Sequence, residues 1–499
     1  MADQRQFRFC PSKPRVFVIS DIANEPDDAQ SLVRFLLYAN EFDIKGLVAC
    51  TSTWMRTSVH PEQMEEIISA YGTVVSNLNA HVHPGNQYPP AQELLDLVRT
   101  GPAVYGKRAL DLDVPLSNGA ELLIEQLVAS GEPLWVLCWG GTNVLAQALH
   151  HIHKTQTGVV SAKLRSRLRV YAISDQDDTG LWIRITYPDI FYICSPHGWN
   201  NYALATWVGI SGDLAGDEFS DFGGPDITTV TAGWLNEHIK IGPLGAVYPE
   251  SKFIMEGDTP TFLYLIQNGL GCPEHPEWGS WGGRYVPIDV GGAARHYSDA
   301  ADRVIGNDGR KYVSNRATIW RWRDAYQNDF AARMKWTLSP SQAASNHAPV
   351  VNINGSQGPE PLTLSVEAGG EVILDASASY DPDGDQLTFS WVQYREPTSA
   401  LGRVIDPQIA KLEIVPVEDT GDRGSKVKIT LPGPEKCAID FTSGKALARG
   451  QALHVLLEVK DDGAPFLRSY KRVILQATNE RLLGGRDRPC ETVMESLEV

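Results

Sequence analysis

Between Arg15 and Leu32 the chain reads RVFVISDIANEPDDAQSL, and this stretch constrains the fold more than any other. Val16 to Ile19 is an unbroken apolar run with the length of a strand buried on both faces. It ends in a turn carrying Asp21, Asn24, Glu25, Asp27 and Asp28, and the spacing of Ala29 to Tyr38 predicts a helix. Strand, polar turn, helix is how an open α/β sheet builds a ligand site at the carboxyl ends of its strands. Four carboxylates within eight residues repel one another, so the cluster calls for a cation or a hydroxyl-rich ligand. The plainer account is a solvated helix N-terminus, where acidic side chains favour the positive end of the dipole.

The same alternation runs from Pro14 to about Trp336. Strands are expected at Ile44–Cys50, Leu134–Cys138, Leu168–Ile173 and Ile190–Cys194. Helices are expected at 61–78, 91–100, 120–129, 142–154, 199–210, 259–267 and 317–334. That order implies an α/β domain with a doubly wound, mostly parallel sheet over residues 14–337. Residues 338–347 read as a linker. From 348 to 478 the texture changes to short alternating strands separated by turns such as Asp381-Pro-Asp-Gly-Asp385. This is the pattern of an immunoglobulin-like β-sandwich, and 479–499 is a polar tail.

With 499 residues, more than one domain is expected. The formal net charge of −17 argues against a nucleic-acid polymer or an anionic membrane surface as partner. No apolar run approaches a membrane span. The N-terminal residues lack the apolar core of a signal peptide, so the sequence as it stands reads as cytoplasmic, and as secreted if that N-terminus is a processed one. Cys50, Cys138 and Cys194 lie in apolar strands and read as core residues rather than zinc ligands. Nothing fixes the oligomeric state, and a homo-oligomer is compatible.

Three further segments can converge with the acidic turn. Leu134 to Ala146 runs from a strand through Trp139, two glycines and Thr142 into a helix; a carbonyl at such a turn can ligate a hard cation. Met255 to Ile266 adds Glu256 and Asp258, the latter also a candidate helix cap. Ser174 to Arg184 brings Asp175, Gln176 and Trp182, with Asn200 further on. Trp54 follows the second strand. Indole rings beside carboxylates and amides suit a sugar, whose C–H face packs on the ring while its hydroxyls take the polar groups. For most of the 13 tryptophans, core packing is the simpler role. No Walker A, GxSxG or GxGxxG pattern marks another chemistry.

Asp21-Ile-Ala-Asn-Glu-Pro-Asp-Asp28-Ala29 resembles the N-terminal DxDxGxDDA signature of nucleoside hydrolases. Trp139-Gly-Gly-Thr-Asn143 and Gly257-Asp258-Thr-Pro260 resemble that family's glycine-rich strand end and its late His-Asp motif. The last of these and the Asp381–Asp385 sandwich more closely resemble proteins described as cellulose-binding, which join such a domain to an immunoglobulin-like one. The resemblance implies a calcium ion held by Asp28, the Thr142 carbonyl and Asp258, with Asp21 beside them, and a sugar hydroxyl on Asp27. Asn24, Trp54, Asp175, Gln176, Trp182 and Asn200, taken from their residue types and positions beside these turns, are the candidates for substrate contact. The family's second Asp, a metal ligand and the general base, falls on Ala23; its turn Gly falls on Glu25, and its late His on Gly257. Glu25 and Asp21 are therefore the catalytic candidates.

Two functions follow. One is a hydrolase of N- or O-glycosyl bonds acting on a sugar or glycoside. The alternative is a non-catalytic protein that binds carbohydrate, polysaccharides such as cellulose included, on a scaffold whose site has decayed.

Overall fold

The computed structural model describes residues 4–201, 204–212, 226–288, 292, 294–306, 309–398, 409–417, 424–440 and 445–480. They form two units: one takes in residues up to 266 together with 273–345, the other 267–272 together with the residues from 346 onward.

The first unit is built on eight strands, β1 (Arg15–Ser20), β2 (Asp43–Ala49), β3 (Val98–Thr100), β4 (Leu134–Cys138), β5 (Leu168–Ala172), β6 (Phe191–Cys194), β7 (Tyr285–Pro287) and β8 (His296–Asp299). Their order across the sheet is β3-β2-β1-β4-β5-β6-β8-β7, parallel except for β7 against β8. A separate hairpin pairs β9 (Asp302–Ile305) with β10 (Lys311–Ser314). Every residue of β1, β4, β5 and β6 is buried, which is why these strands are mostly apolar on both faces instead of alternating. On one face, Phe17, Ile19, Val48, Val136 and Val170 pack with apolar residues of the helices Asn118–Ala129 and Asn143–Thr155. Cys50, Cys138 and Cys194 belong to that same core as free thiols.

The chain leaves β1 toward β2 on one side and resumes at β4 on the other. The sheet's topological switch therefore lies between β1 and β4, and the crevice beyond their carboxyl ends is where such sheets hold ligands. The acidic turn follows β1, and Trp139-Gly140 follows β4.

The second unit has a four-stranded sheet ordered β11-β17-β16-β13 and a three-stranded sheet ordered β12-β15-β14. The strands are β11 (Leu362–Glu367), β12 (Glu371–Asp375), β13 (Thr388–Gln393), β14 (Glu413–Pro416), β15 (Lys426–Thr430), β16 (Arg449–Lys460) and β17 (Arg468–Thr478). Leu374, Val427, Ile429, Leu453, Val455, Leu457, Val473 and Leu475, drawn from both sheets, share one core, as in a β-sandwich. Residues 267–272, read from sequence as part of the first domain, group here. The Asn268 carbonyl accepts from Tyr470 N at 2.9 Å, and the Leu270 carbonyl accepts from the Arg472 guanidinium.

Several expected elements differ. The helix expected at 91–100 stops at Leu95, and Val98–Thr100 becomes edge strand β3, because pairing with Leu47–Ala49 satisfies its backbone. The helix expected at 199–210 is two pieces, His197–Asn200 and a 3-10 turn Thr206–Ile210, with Ala205 extended before the turn. The helix expected at 259–267 is only Pro260–Leu263. The first helix begins at Pro26, three residues earlier than expected, so Asp27 and Asp28 occupy its first turn. The polar tail beyond 480 lies outside the described residues.

Candidate functional site

Asp21, Asn24, Glu25, Asp27, Asp28, Trp54, Gln176 and Asp258 line one cavity of about 380 Å³. Its construction follows from three loops. β1 delivers Asp21, and Ser20 donates its hydroxyl hydrogen bond to Asp28 Oδ1. Pro26 at the first helical position starts the helix Pro26–Leu37 with Glu25 as its extended N-cap residue. The Glu25 side chain makes no capping hydrogen bond. Acidic groups in that first turn gain from the helix dipole, which partly offsets their mutual repulsion.

The end of β4 comes unusually close to this turn. A Cβ on Gly140 would fall 2.7 Å from Asp21 Oδ1 and 2.8 Å from Asp21 N, so only glycine permits the approach. Trp139, fully buried, donates its indole N–H to Thr261 at 2.8 Å and so joins the β4 loop to the segment carrying Asp258.

That segment docks along one stretch of the first helix. Glu256 N donates to Gln30 Oε1 at 3.0 Å, Thr259 Oγ1 lies 3.1 Å from Ser31 Oγ, and Arg34 pairs with Glu256 at 2.6 Å. Glu256 is therefore consumed by Arg34 and by Tyr248, whose hydroxyl donates to it at 2.7 Å. Asp258 is not. The helix that follows has Thr259 as its N-cap and no side-chain capping bond, so the expected cap role of Asp258 does not occur. Its carboxylate turns instead to Asp27 and Asp28: each of the three offers an oxygen within 4.8 Å of the other two.

These carboxylates are hidden from water. Asp21 is 1 % exposed, and Asp28 and Asp258 are each 3 % exposed. Asp21 Oδ2 and Asp258 Oδ2 are buried without a hydrogen-bond partner among the described residues. Burial first, and then neighbouring carboxylates, raises the four aspartates. Asp21 is pushed up to about 6 and Asp27 to about 7, while Asp28 and Asp258 go well above the ordinary range. Glu25, half-buried, is raised by desolvation. An acid whose folded pKa is raised stabilises the fold below its unfolded value and loses that contribution as pH climbs through the folded one. Cation-free protein should therefore lose thermal stability between about pH 4 and pH 7, near the values of Asp21 and Asp27. Melting curves in chelator across that range check this, and a flat profile would rule it out.

Four of the sequence candidates stand outside the lining. The Thr142 hydroxyl faces Thr179 at 2.7 Å and Asp177 at 3.4 Å, and its carbonyl accepts from Ala146 N in the first turn of its helix. Asp175 is paired with Arg184 at 2.6 Å. Trp182 lies against Tyr187 and His150, with ring centroids 5.7 and 6.3 Å away. Asn200 is exposed and not part of the lining. Gln176 does line the cavity; its amide donates to the Trp139 carbonyl. Sequence reasoning missed Phe253 and Trp207, which also line it. Phe253 is 63 % exposed and holds a left-handed backbone, φ 61°. An isolated aromatic in a polar stretch, Pro249-Glu-Ser-Lys-Phe253, was the available signal. Ala23, where the signature has its second Asp, is also left-handed at φ 87°, and its side chain offers no ligand atom.

A switch-point crevice ringed by carboxylates from the β1 and 258 loops places the first unit among nucleoside-hydrolase-like α/β proteins. Residues 15–285 match the family described as cellulose-binding Sde182, nucleoside hydrolase-like domain, and the chain belongs to that family. Residues 371–477 match the C-terminal domain of cellulose-binding protein Sde0182. Among solved structures, the chain is similar to a nucleoside hydrolase-related hypothetical protein from Saccharophagus degradans that is associated with carbohydrate metabolism. The two are 28 % identical over 94 % of this chain and 100 % of that one, with a TM-score of 0.73. Type III effector XopQ complexed with adenosine diphosphate ribose (12 % identity, 66 % and 95 % covered, TM-score 0.25) and human CDH23 EC21-23 (14 %, 26 % and 33 %, 0.15) are too distant to support an argument. No curated protein matches. Among the described residues, no helix is long and apolar enough to cross a membrane.

Proposed function

We propose that the first unit binds a sugar in this cavity and hydrolyses its glycosyl bond, with a calcium ion held by Asp27, Asp28 and Asp258 and with Asp21 close by. One observation carries the reading: carboxylates from two sequence-distant loops meet within 4.8 Å, and the cluster retains buried oxygens with no hydrogen-bond partner among the described residues. The donors are all oxygen, which suits a hard cation. When bound, the ion neutralises the cluster and orients adjacent sugar hydroxyls. The chain's own side chains do the rest. Asn24 and Gln176 offer amides to hydroxyls, and Trp54 and Phe253, both 63 % exposed, offer rings to the sugar's C–H face. Glu25 lines the cavity, is only half-buried, has a raised pKa and has no capping duty, which fits a base that takes a proton from attacking water.

The test is incubation with nucleosides, aryl glycosides and cello-oligosaccharides, with and without calcium. Calcium-dependent release of reducing sugar from one class is expected; no release from any, in a protein that binds none, would overturn the reading. Calcium should also raise the melting temperature by mass action, equivalent to about 2.7 kcal/mol at a hundredfold excess over Kd. Asp28→Asn should abolish this cluster's contribution to that rise, and an unchanged response would exclude Asp28 as a ligand.

Ala23 favours a second reading, carbohydrate binding without cleavage, since an alanine side chain can neither ligate nor accept a proton. The family's description as cellulose-binding agrees with it. Retention of the full chain on cellulose, together with no release from any glycoside, would select this reading.

A further inference from the structure

We propose that the Asp381–Asp385 turn of the second unit, together with Asp461, forms a calcium site that ties two loops of the sandwich together. Asp381, Asp383 and Asp385 each offer an oxygen, all within 4.8 Å of one another. Oxygens on opposite sides of one calcium shell, at about 2.4 Å from the ion, lie about 4.8 Å apart, so the three fit a single shell.

An acidic turn alone would be unremarkable surface; Asp461, from the other loop, makes the difference. It is 2 % exposed. Its Oδ1 accepts from Gly463 N at 3.0 Å, Leu467 N at 2.9 Å and Asn346 Nδ2 at 2.9 Å. Among the described residues its Oδ2 is buried with no hydrogen-bond partner, and so is Asp381 Oδ2. Leaving such atoms unsatisfied is costly, and a cation is the partner that a set of carboxylates accepts.

The loops already face each other. Gln386 N donates to Asp462 Oδ1 at 2.8 Å. A Cβ on Gly463 would fall 2.5 Å from Asp385 Oδ2, so the Asp385 carboxylate rests against the loop that carries Asp461. Asp383 is aimed by His347, whose backbone N donates to it at 2.7 Å and whose Nδ1 lies 3.0 Å from both its oxygens. Burial, then Asp461 and Asp383, raises Asp381 to about 7; burial, then Asp385, raises Asp461 to about 6. Those mutual repulsions are what a bound divalent ion would remove. The set has four carboxylates and no thiolate, and the His347 ring is engaged by Asp383. That selects a hard cation over zinc, and irregular loops suit calcium's flexible shell better than magnesium's strict octahedron.

The full chain is stripped with chelator and dialysed against about 1 mM calcium, the range of weaker calcium modules. Metal per chain is then counted by elemental analysis. In Asp28→Asn protein, where the first unit's cluster is disabled, one calcium per chain is expected. Adding Asp385→Asn, or separately the more exposed Asp383→Asn, should reduce it to none with the circular dichroism unchanged. Calcium should raise the melting temperature of Asp28→Asn protein, and equal magnesium should raise it much less. Absence of calcium from the Asp28→Asn protein, or an ion that survives both second substitutions, overturns the proposal. Failure of the first-unit site looks different: the unmodified chain then binds one ion, not two, and Asp28→Asn changes nothing.

Discussion

Arg34→Met should lower the stability of the first unit by about 3–5 kcal/mol, read as a shift in the urea midpoint. Arg34 and Glu256 are both fully buried and pair at 2.6 Å. Arg34 also donates to Gln327 Oε1 at 2.6 Å and the Tyr326 carbonyl at 2.9 Å, and its guanidinium lies 4.2 Å from the Phe330 ring centroid. Removing one partner strands the Glu256 charge, with only the Tyr248 hydroxyl and Thr259 left to solvate it. The double variant Arg34→Met/Glu256→Gln should cost clearly less than the sum of the single changes, because it removes both charges. Additive losses would mean the pair is not a coupled unit. The pair also fixes the loop that presents Asp258, two residues on, to Asp28. Arg34→Met should therefore blunt the calcium-induced rise in melting temperature as well.

Glu25→Gln should cut kcat on the cleaved glycoside by two to four orders of magnitude, the usual contribution of a positioned acid or base. KM should stay within a few-fold. The amide keeps the shape of the side chain, and no capping bond is lost, since the Glu25 carboxylate makes none. Steady-state kinetics decide it: a parallel loss of binding and turnover would mean that Glu25 holds sugar rather than moves a proton. The neighbouring position sharpens this test. Ala23, left-handed and without a carboxylate, leaves Glu25 and Asp21 as the acids on that turn before the helix. Asp21 is 1 % exposed, whereas Glu25 is only half-buried and closer to incoming water.

Much of the site was legible before any fold was in hand. The apolar runs of β1 and β4 and the polar residues that end them are local patterns, and local patterns are what a sequence displays directly. The two tandem units were legible for the same reason, through the change from an alternation of strands and helices to a run of short strands. Other placements depended on context. The Thr142 carbonyl accepts from Ala146 N, Asp175 pairs with Arg184 and Trp182 lies against Tyr187, and none of the three lines the cavity. Phe253 was overlooked because a lone aromatic in a polar loop has no periodicity to mark it.

By itself the sequence determined the central strands β1, β2, β4, β5 and β6, their order along the chain and the presence of an acidic turn at the end of the first, since hydrophobic period and turn chemistry act over a few residues. Only the tertiary structure decided the fate of each carboxylate. Glu256 and Asp258 are two residues apart and both carry carboxyl groups, but docking on the first helix gives Glu256 an arginine and leaves Asp258 facing Asp28. Whether a charge is neutralised or left to seek a ligand depends on what burial brings beside it, and that is settled between segments far apart in the chain.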